Sequence, residues 1–241
     1  MSNKNTKRKT VEYYQEQAAA KAQKAQKKQL ILSIITACLV LAIVLPLVLL
    51  YGVKVTHRAE IVIENYGTIK LDLYGNEAPK TVERFAFLAE NGFYDDTSFH
   101  RIANDLLIQG GCPYGDGTGG YKNGLYGEFQ RNGWIRNDVS HTRGTISMSH
   151  SASSQNGLDA NNTASSQFFI MLKDYTRYDG QYAAFGRVTE GMEILDKIAA
   201  ETTLLSEKDE RFTAAMNVAP ENQPKVVSIT VKGAGLRALF G

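Results

Sequence analysis

Phe99-His100-Arg101-Ile102, then Gln109-Gly110-Gly111, then Ser166-Gln167-Phe168-Phe169-Ile170 are the most informative stretches of this chain. On a strand, successive side chains point to opposite faces, so Phe168 and Phe169 divide between a core and an outer wall. An outward aromatic makes sense if it floors a pocket. Around these stretches, Ile61 and Ile63, then Ile69, Leu71 and Leu73, alternate with polar residues across Asn65-Tyr66-Gly67, the pattern of an antiparallel hairpin with one buried face. Further strand-like runs are Thr145 to Ser149, Gln167 to Leu172, Ala183 to Val188 and Val226 to Thr230. Pro79 precedes a helical stripe of Val82, Phe85, Ala86, Leu88 and Ala89 that ends at Gly92, and Glu190 to Ala200 reads as a second helix. Many short strands with two helices predict a mainly β fold: an antiparallel sheet closed into a barrel, its open ends covered by the helices. The same alternation fits a sandwich.

Composition divides the 241-residue chain. Residues 1–29 carry eight Lys/Arg and two Glu, a net of +6, whereas the rest holds 19 basic and 23 acidic side chains, a net of −4. The basic character thus belongs to a tail. The folded part shows no basic stripe interleaved with aromatics, so nucleic acid is not an expected partner. Between Leu30 and Val53 runs an uncharged apolar stretch, broken only by Ser33, Thr36, Pro46 and Gly52, long enough to cross a bilayer as a helix. Spanning helices tolerate a proline such as Pro46. Lys and Arg before the stretch outnumber Lys54 and Arg58 after it, which places the N-terminus in the cytoplasm and the remainder outside. A cleaved signal peptide would need a shorter core and a small-x-small site. A lipoprotein box at Ile35-Thr36-Ala37-Cys38 would leave more than a dozen apolar residues after its cysteine. The expected layout is therefore a basic cytoplasmic tail over 1–29, a signal-anchor helix over 30–53, a linker over 54–58, a folded domain over 59–233 and a short tail over 234–241. Val11 to Gln29 reads as a solvated helix able to attract anionic lipid head groups, at about 1 kcal/mol per basic residue.

Cys38 and Cys112 lie on opposite sides of this divide, so no disulfide framework is available and the outer domain must stand on its own core. His57, His100, His141 and His150 lack metal-ligand spacing, and His100 reads as a buried structural histidine. Gly115 to Gly120 fits G-x-G-x-x-G without a feeding strand or a following helix, which makes it a glycine-rich turn rather than a dinucleotide site. Ser, His and Asp are plentiful, but no nucleophile elbow organises a hydrolase triad.

With ENGFYDDTSFHRI (90–102), GTGG (117–120) and AFGRVTEGMEILD (184–196), the three opening stretches occur in the order and nearly the spacing of the cyclophilin family of peptidyl-prolyl isomerases, which this chain resembles from Ala59 to Gly233. The resemblance implies a closed eight-stranded antiparallel barrel capped by two helices, with a groove on its outer wall. It implies no metal or cofactor, and proline-containing polypeptides as partners. It assigns catalysis to Arg101, Gln109 and Phe169, with Arg101 donating toward the prolyl nitrogen, Gln109 holding the arginine and the substrate backbone, and Phe169 flooring the pocket. Leu106, Leu107, Ser149, His150, Tyr178 and Tyr182 match substrate-binding positions, and the backbone at Ser149 and His150 would pair with substrate as an added strand. Three positions depart from better-known members: Leu106 where an aromatic is frequent, Tyr182 where His or Tyr occurs, and Arg177 where many have a Trp that shapes the cyclosporin site. The loop between Met148 and Ser166 is longer by about eight residues, counted against that resemblance. Isomerase activity with altered sequence preference and weakened cyclosporin binding is the expectation. A proline-peptide binding or chaperone-like module with little turnover is the alternative.

Overall fold

The computed structural model describes residues 21, 23–24, 26–43, 55–103, 106–152, 159–206 and 218–233. The chain divides into two units, Met1–Val53 and Lys54–Gly241. In the first, Gln26–Ile43 is a helix of mean hydropathy 1.5, long and apolar enough to cross a membrane by length and composition. Residues 44–53 of the expected span, most of the basic tail and the tail 234–241 lie outside the described residues.

In the second unit eight strands make one antiparallel sheet. They are β1 (His57–Ile63), β2 (Gly67–Leu73), β3 (Arg101–Ala103), β4 (Leu107–Gly110), β5 (Thr145–Met148), β6 (Phe168–Met171), β7 (Ala183–Glu190) and β8 (Val226–Gly233). Their spatial order is β3-β4-β6-β5-β7-β2-β1-β8. The expected closed barrel is corrected here: the sheet is curled but its end strands, β3 and β8, form no ladder with each other. β3 is only three residues long, and the chain ahead of it meets the chain ahead of β8 through an isolated bridge, Ser98 to Lys225, flanked by Phe99 N–H to Pro224 O at 2.9 Å.

The hairpin falls where the alternation puts it, with Asn65 taking the left-handed conformation (φ 64°) and Ile63 paired with Gly67. Ile61, Ile63, Ile69, Leu71 and Leu73 are all at most 1 % exposed, one face of two strands. They join Phe85, Tyr94, Phe99, Phe168, Ile170 and Phe185 in a single core, to which helices α1 (Pro79–Glu90) and α2 (Met192–Ser206) contribute Val82, Leu88, Leu195 and Ile198. Each such side chain contributes about 1.5–3 kcal/mol on burial, which is how the domain does without disulfides. The second helix starts two residues later and ends six later than its sequence pattern indicates.

The start of α1 is stabilised by a distant residue. Its N-cap, Ala78, offers no side-chain acceptor and its first turn holds no acid. The buried carboxylate of Glu128 fills that place, accepting from Lys80 N–H (3.0 Å), Thr81 N–H (2.9 Å) and Thr81 Oγ1 (2.8 Å). Free N–H groups and the positive end of the helix dipole favour an anion at this point. Because several donors lose their partner at once, Glu128→Ala should cost about 3 kcal/mol in urea unfolding of a fragment spanning 54–241, and Glu128→Gln clearly less.

Candidate active site

Backbone register assembles the site. Arg101 on β3 pairs with Gln109 on β4, Gln109 with Phe169 on β6, and Phe169 with Ser147 on β5. Cross-strand partners share a face, so these four side chains form a row on the outer wall. Phe168, one residue away, belongs to the main core, whereas Phe169 packs outside it with Ala103, Leu107 and Met171. Leu106, Tyr175, Tyr178 and Tyr182 are partly buried against this second cluster.

Glycines let the motif strands approach each other. Gly111 has φ +81°, and a Cβ there would sit 2.5 Å from the Ser166 carbonyl oxygen. The Ser166 hydroxyl in turn donates to Gly111 O at 2.9 Å. The glycine pair and the serine thus lock the strands that carry Gln109 and Phe169.

Gln109 is the hub. Its Oε1 accepts from Arg101 Nη1 at 3.2 Å, and its Nε2 donates to Gln167 Oε1 at 2.9 Å and toward Ser149 Oγ at 3.4 Å. Gln167 is fixed in turn by donating to Gly117 O (2.8 Å) and Gly119 O (2.7 Å). The glycine-rich turn is therefore the anchor of a relay that ends at the guanidinium. Sequence reading gave Gln167 no role, although a lone amide between Ser166 and two phenylalanines was a signal. Ser149 also donates its N–H to Gln167 O at 2.9 Å. Beside this relay a groove of about 1020 Å³ is lined by Gln109, Ser149, His150, Gln167 and the 117–124 turn.

The pocket wall is aromatic. Tyr182 meets Phe169 edge-on at 5.2 Å and stacks on His150 at 4.7 Å, while Tyr178 lies 5.9 Å from Phe169 and 4.9 Å from Tyr182. Phe169 itself is only 2 % exposed. Burial pushes the Tyr182 phenol up, so it stays a neutral O–H near Arg101. Arg177, next to Tyr178, is exposed.

Under the wall lies a hydrogen-bonded Ser147–His141–Asp179 chain that motif reading did not single out. Ser147 Oγ is 2.8 Å from His141 Nε2, and His141 Nδ1 is 3.0 Å from Asp179 Oδ1. It has the order of a nucleophilic triad, yet Ser147 and His141 are fully buried and the His141 ring stacks beneath Phe169 at 6.1 Å. No substrate carbonyl can reach that hydroxyl, so the chain supports the pocket floor. Burial pushes His141 down despite the Asp179 carboxylate, which leaves a neutral ring accepting the Ser147 proton. Asp179 is held below the usual carboxylate range: burial opposes this, but hydrogen bonds from His141 N–H, Ser140 Oγ and the ring outweigh it.

The arrangement offers an oriented cation beside an apolar pocket; among the described residues no cluster of His, Cys, Asp or Glu could hold a metal. The sequence model described as cyclophilin-type peptidyl-prolyl cis-trans isomerase matches residues 58–231, and the chain belongs to that family. It is 41 % identical over 136 residues, 56 % of this chain and 76 % of the relative, to a peptidyl-prolyl cis-trans isomerase of Helicobacter pylori. It is 39 % identical over 167 residues, 68 % of this chain and 88 % of the relative, to the peptidyl-prolyl cis-trans isomerase-like 1 protein of Neurospora crassa. Among solved structures it superposes on a Cryptosporidium parvum cyclophilin-type isomerase, crystallised in the presence of the dipeptide Ala-Pro, with a TM-score of 0.55 and 26 % identity, covering 73 % of this chain and 99 % of that one.

Depression of the His141 pKa fixes the sign of a pH effect. The unfolded chain takes up its proton as pH falls through about 6.5 while the folded ring resists, so this contribution to stability is present above that pH and lost below it. The urea midpoint should fall between pH 7.5 and 5, and His141→Gln should flatten part of that fall.

Proposed function

We propose that the outer domain accelerates X-Pro isomerisation in exported polypeptides at the membrane surface, by non-covalent stabilisation of the twisted amide. Rotation destroys amide resonance at a cost of about 18–20 kcal/mol and pyramidalises the prolyl nitrogen, whose lone pair then becomes an acceptor. Arg101 donates to that lone pair, an interaction absent from both planar ground states, so it lowers the barrier without tightening either. The observation that carries this reading is the 3.2 Å bond from Arg101 to Gln109 in the same cross-strand row as Phe169. One oriented cation and one apolar floor are the parts the reaction demands. The proline ring packs over Phe169 and Leu107, bounded by Leu106, Tyr178 and Tyr182, and the flanking backbone pairs along Ser149 and His150. The relative crystallised with Ala-Pro supports a proline-containing ligand.

The location reading rests on the charge asymmetry around the apolar helix: N-terminus cytoplasmic, one uncleaved span, isomerase domain outside. A second reading, recognition of proline peptides with little turnover, rests on the departures from the family pattern at Leu106 and Arg177. The two separate in a refolding assay limited by a proline bond. Arg101→Ala should lower kcat/KM by about 10²–10³, the usual effect of removing one transition-state donor. A wild-type domain that binds without speeding refolding would favour recognition.

Exposed Arg177 cannot supply the aromatic surface of a tryptophan. Cyclosporin should therefore compete more weakly than with Trp-containing members, and Arg177→Trp should strengthen it, as read by inhibition of the same assay.

A further inference from the structure

The loop Asn132–Arg136 holds apolar side chains out of a firmly anchored base. Asn137, 4 % exposed, donates from Nδ2 to Glu128 O (2.9 Å) and Ala184 O (2.8 Å). Gln130 Nε2 donates to Asn137 O at 3.3 Å, and Trp134 N–H to Phe129 O at 3.2 Å. From this base Ile135 stands 82 % exposed, more than any other large hydrophobic side chain among the described residues. It is flanked by half-buried Trp134 and by Tyr126, 44 % exposed, whose hydroxyl donates to Asn132 O. Exposed Arg136 follows Ile135 directly, and exposed Arg131 precedes the loop with its guanidinium donating to Gln181 Oε1 at 3.5 Å.

The patch sits near the point where the chain enters the domain. Trp134 Nε1 donates to Glu77 O at 2.7 Å, and two residues earlier Gly75 N–H donates to Thr56 Oγ1 at 2.8 Å. Val53, the last residue of the apolar stretch, is three residues from Thr56, a reach of about 10 Å. Tryptophan and tyrosine prefer the water–bilayer boundary, an aliphatic tip gains by entering it, and arginines add attraction to anionic head groups. An isolated exposed isoleucine means little. This one is braced, bordered by two aromatics and an arginine, and tethered within reach of a membrane.

We propose that the Tyr126–Trp134–Ile135 patch, with Arg136, seats the isomerase domain on the outer surface of the bilayer that holds its anchor. This rests on the anchor reading above. The seating restricts the tumbling of the domain about its short linker and sets the height of the groove above the lipid.

Trp134 is the only tryptophan of the chain and so reports on its own surroundings. The full chain is reconstituted in phosphatidylcholine–phosphatidylglycerol vesicles and purified by flotation, with and without lipids carrying a nitroxide near the head group. The nitroxide should cut Trp134 emission at least about twofold, as for an indole at the interface. Ile135→Asp and, separately, Arg136→Glu should restore most of that emission, with activity on a soluble peptide within about twofold of wild type, because neither residue lines the groove. Emission untouched by the nitroxide but quenched by aqueous iodide would overturn the seating while leaving the anchor intact. Protection from both quenchers would overturn it equally, whether a protein contact or the domain itself covers the indole. A chain that fails to float would overturn the anchor reading, and the seating with it.

Discussion

The antiparallel register that puts Arg101 opposite Gln109, and Gln109 opposite Phe169, is the constraint on which the proposed mechanism depends. A slip by one residue would send Phe169 into the core, expose Phe168 and turn the guanidinium inward. Register is held from both sides: inside by Ile102, Ile108, Phe168 and Ile170 in the main core, and behind the motif by the close approach of Gly111 to Ser166. A site made from one row of a rigid sheet is preorganised at no cost at the moment of reaction, as a reaction with no covalent step requires.

Satisfied polar groups do the rest. The relay from the 117–119 carbonyls through Gln167 and Gln109 leaves Gln109 Oε1 facing Arg101, because both Nε2 protons are directed at Gln167 and Ser149. On the other flank, Ser147, His141 and Asp179 support Phe169 without meeting substrate. Glu128 secures the start of α1, and its own carbonyl helps anchor the Asn137 base of the exposed loop. Helix start and exposed loop thus share one residue, Glu128.

Much of this was legible in the sequence, for identifiable reasons. The β1–β2 hairpin, α1 and the inside–outside split of Phe168 and Phe169 follow from period-2 and helical patterning over adequate lengths. β3 and β4 do not: three and four residues are too few for a period, and only the motifs marked them. The barrel expectation failed at its last seam, where contact runs through an isolated bridge between residues outside the strands. His141 and Asp179 were invisible as a pair because 38 residues separate them and only the fold brings them together. Glu128 reads as an ordinary acid until α1 proves to have no cap of its own.

Whether Arg101 stabilises the twisted amide is read from the cis–trans exchange rate of a short Ala-Pro peptide, measured by NMR with a 54–241 fragment and with its Arg101→Ala variant. Strong acceleration is expected, nearly abolished by the substitution while peptide shift changes persist. Shift changes without faster exchange from the wild-type domain, or acceleration that survives the loss of Arg101, would contradict that role.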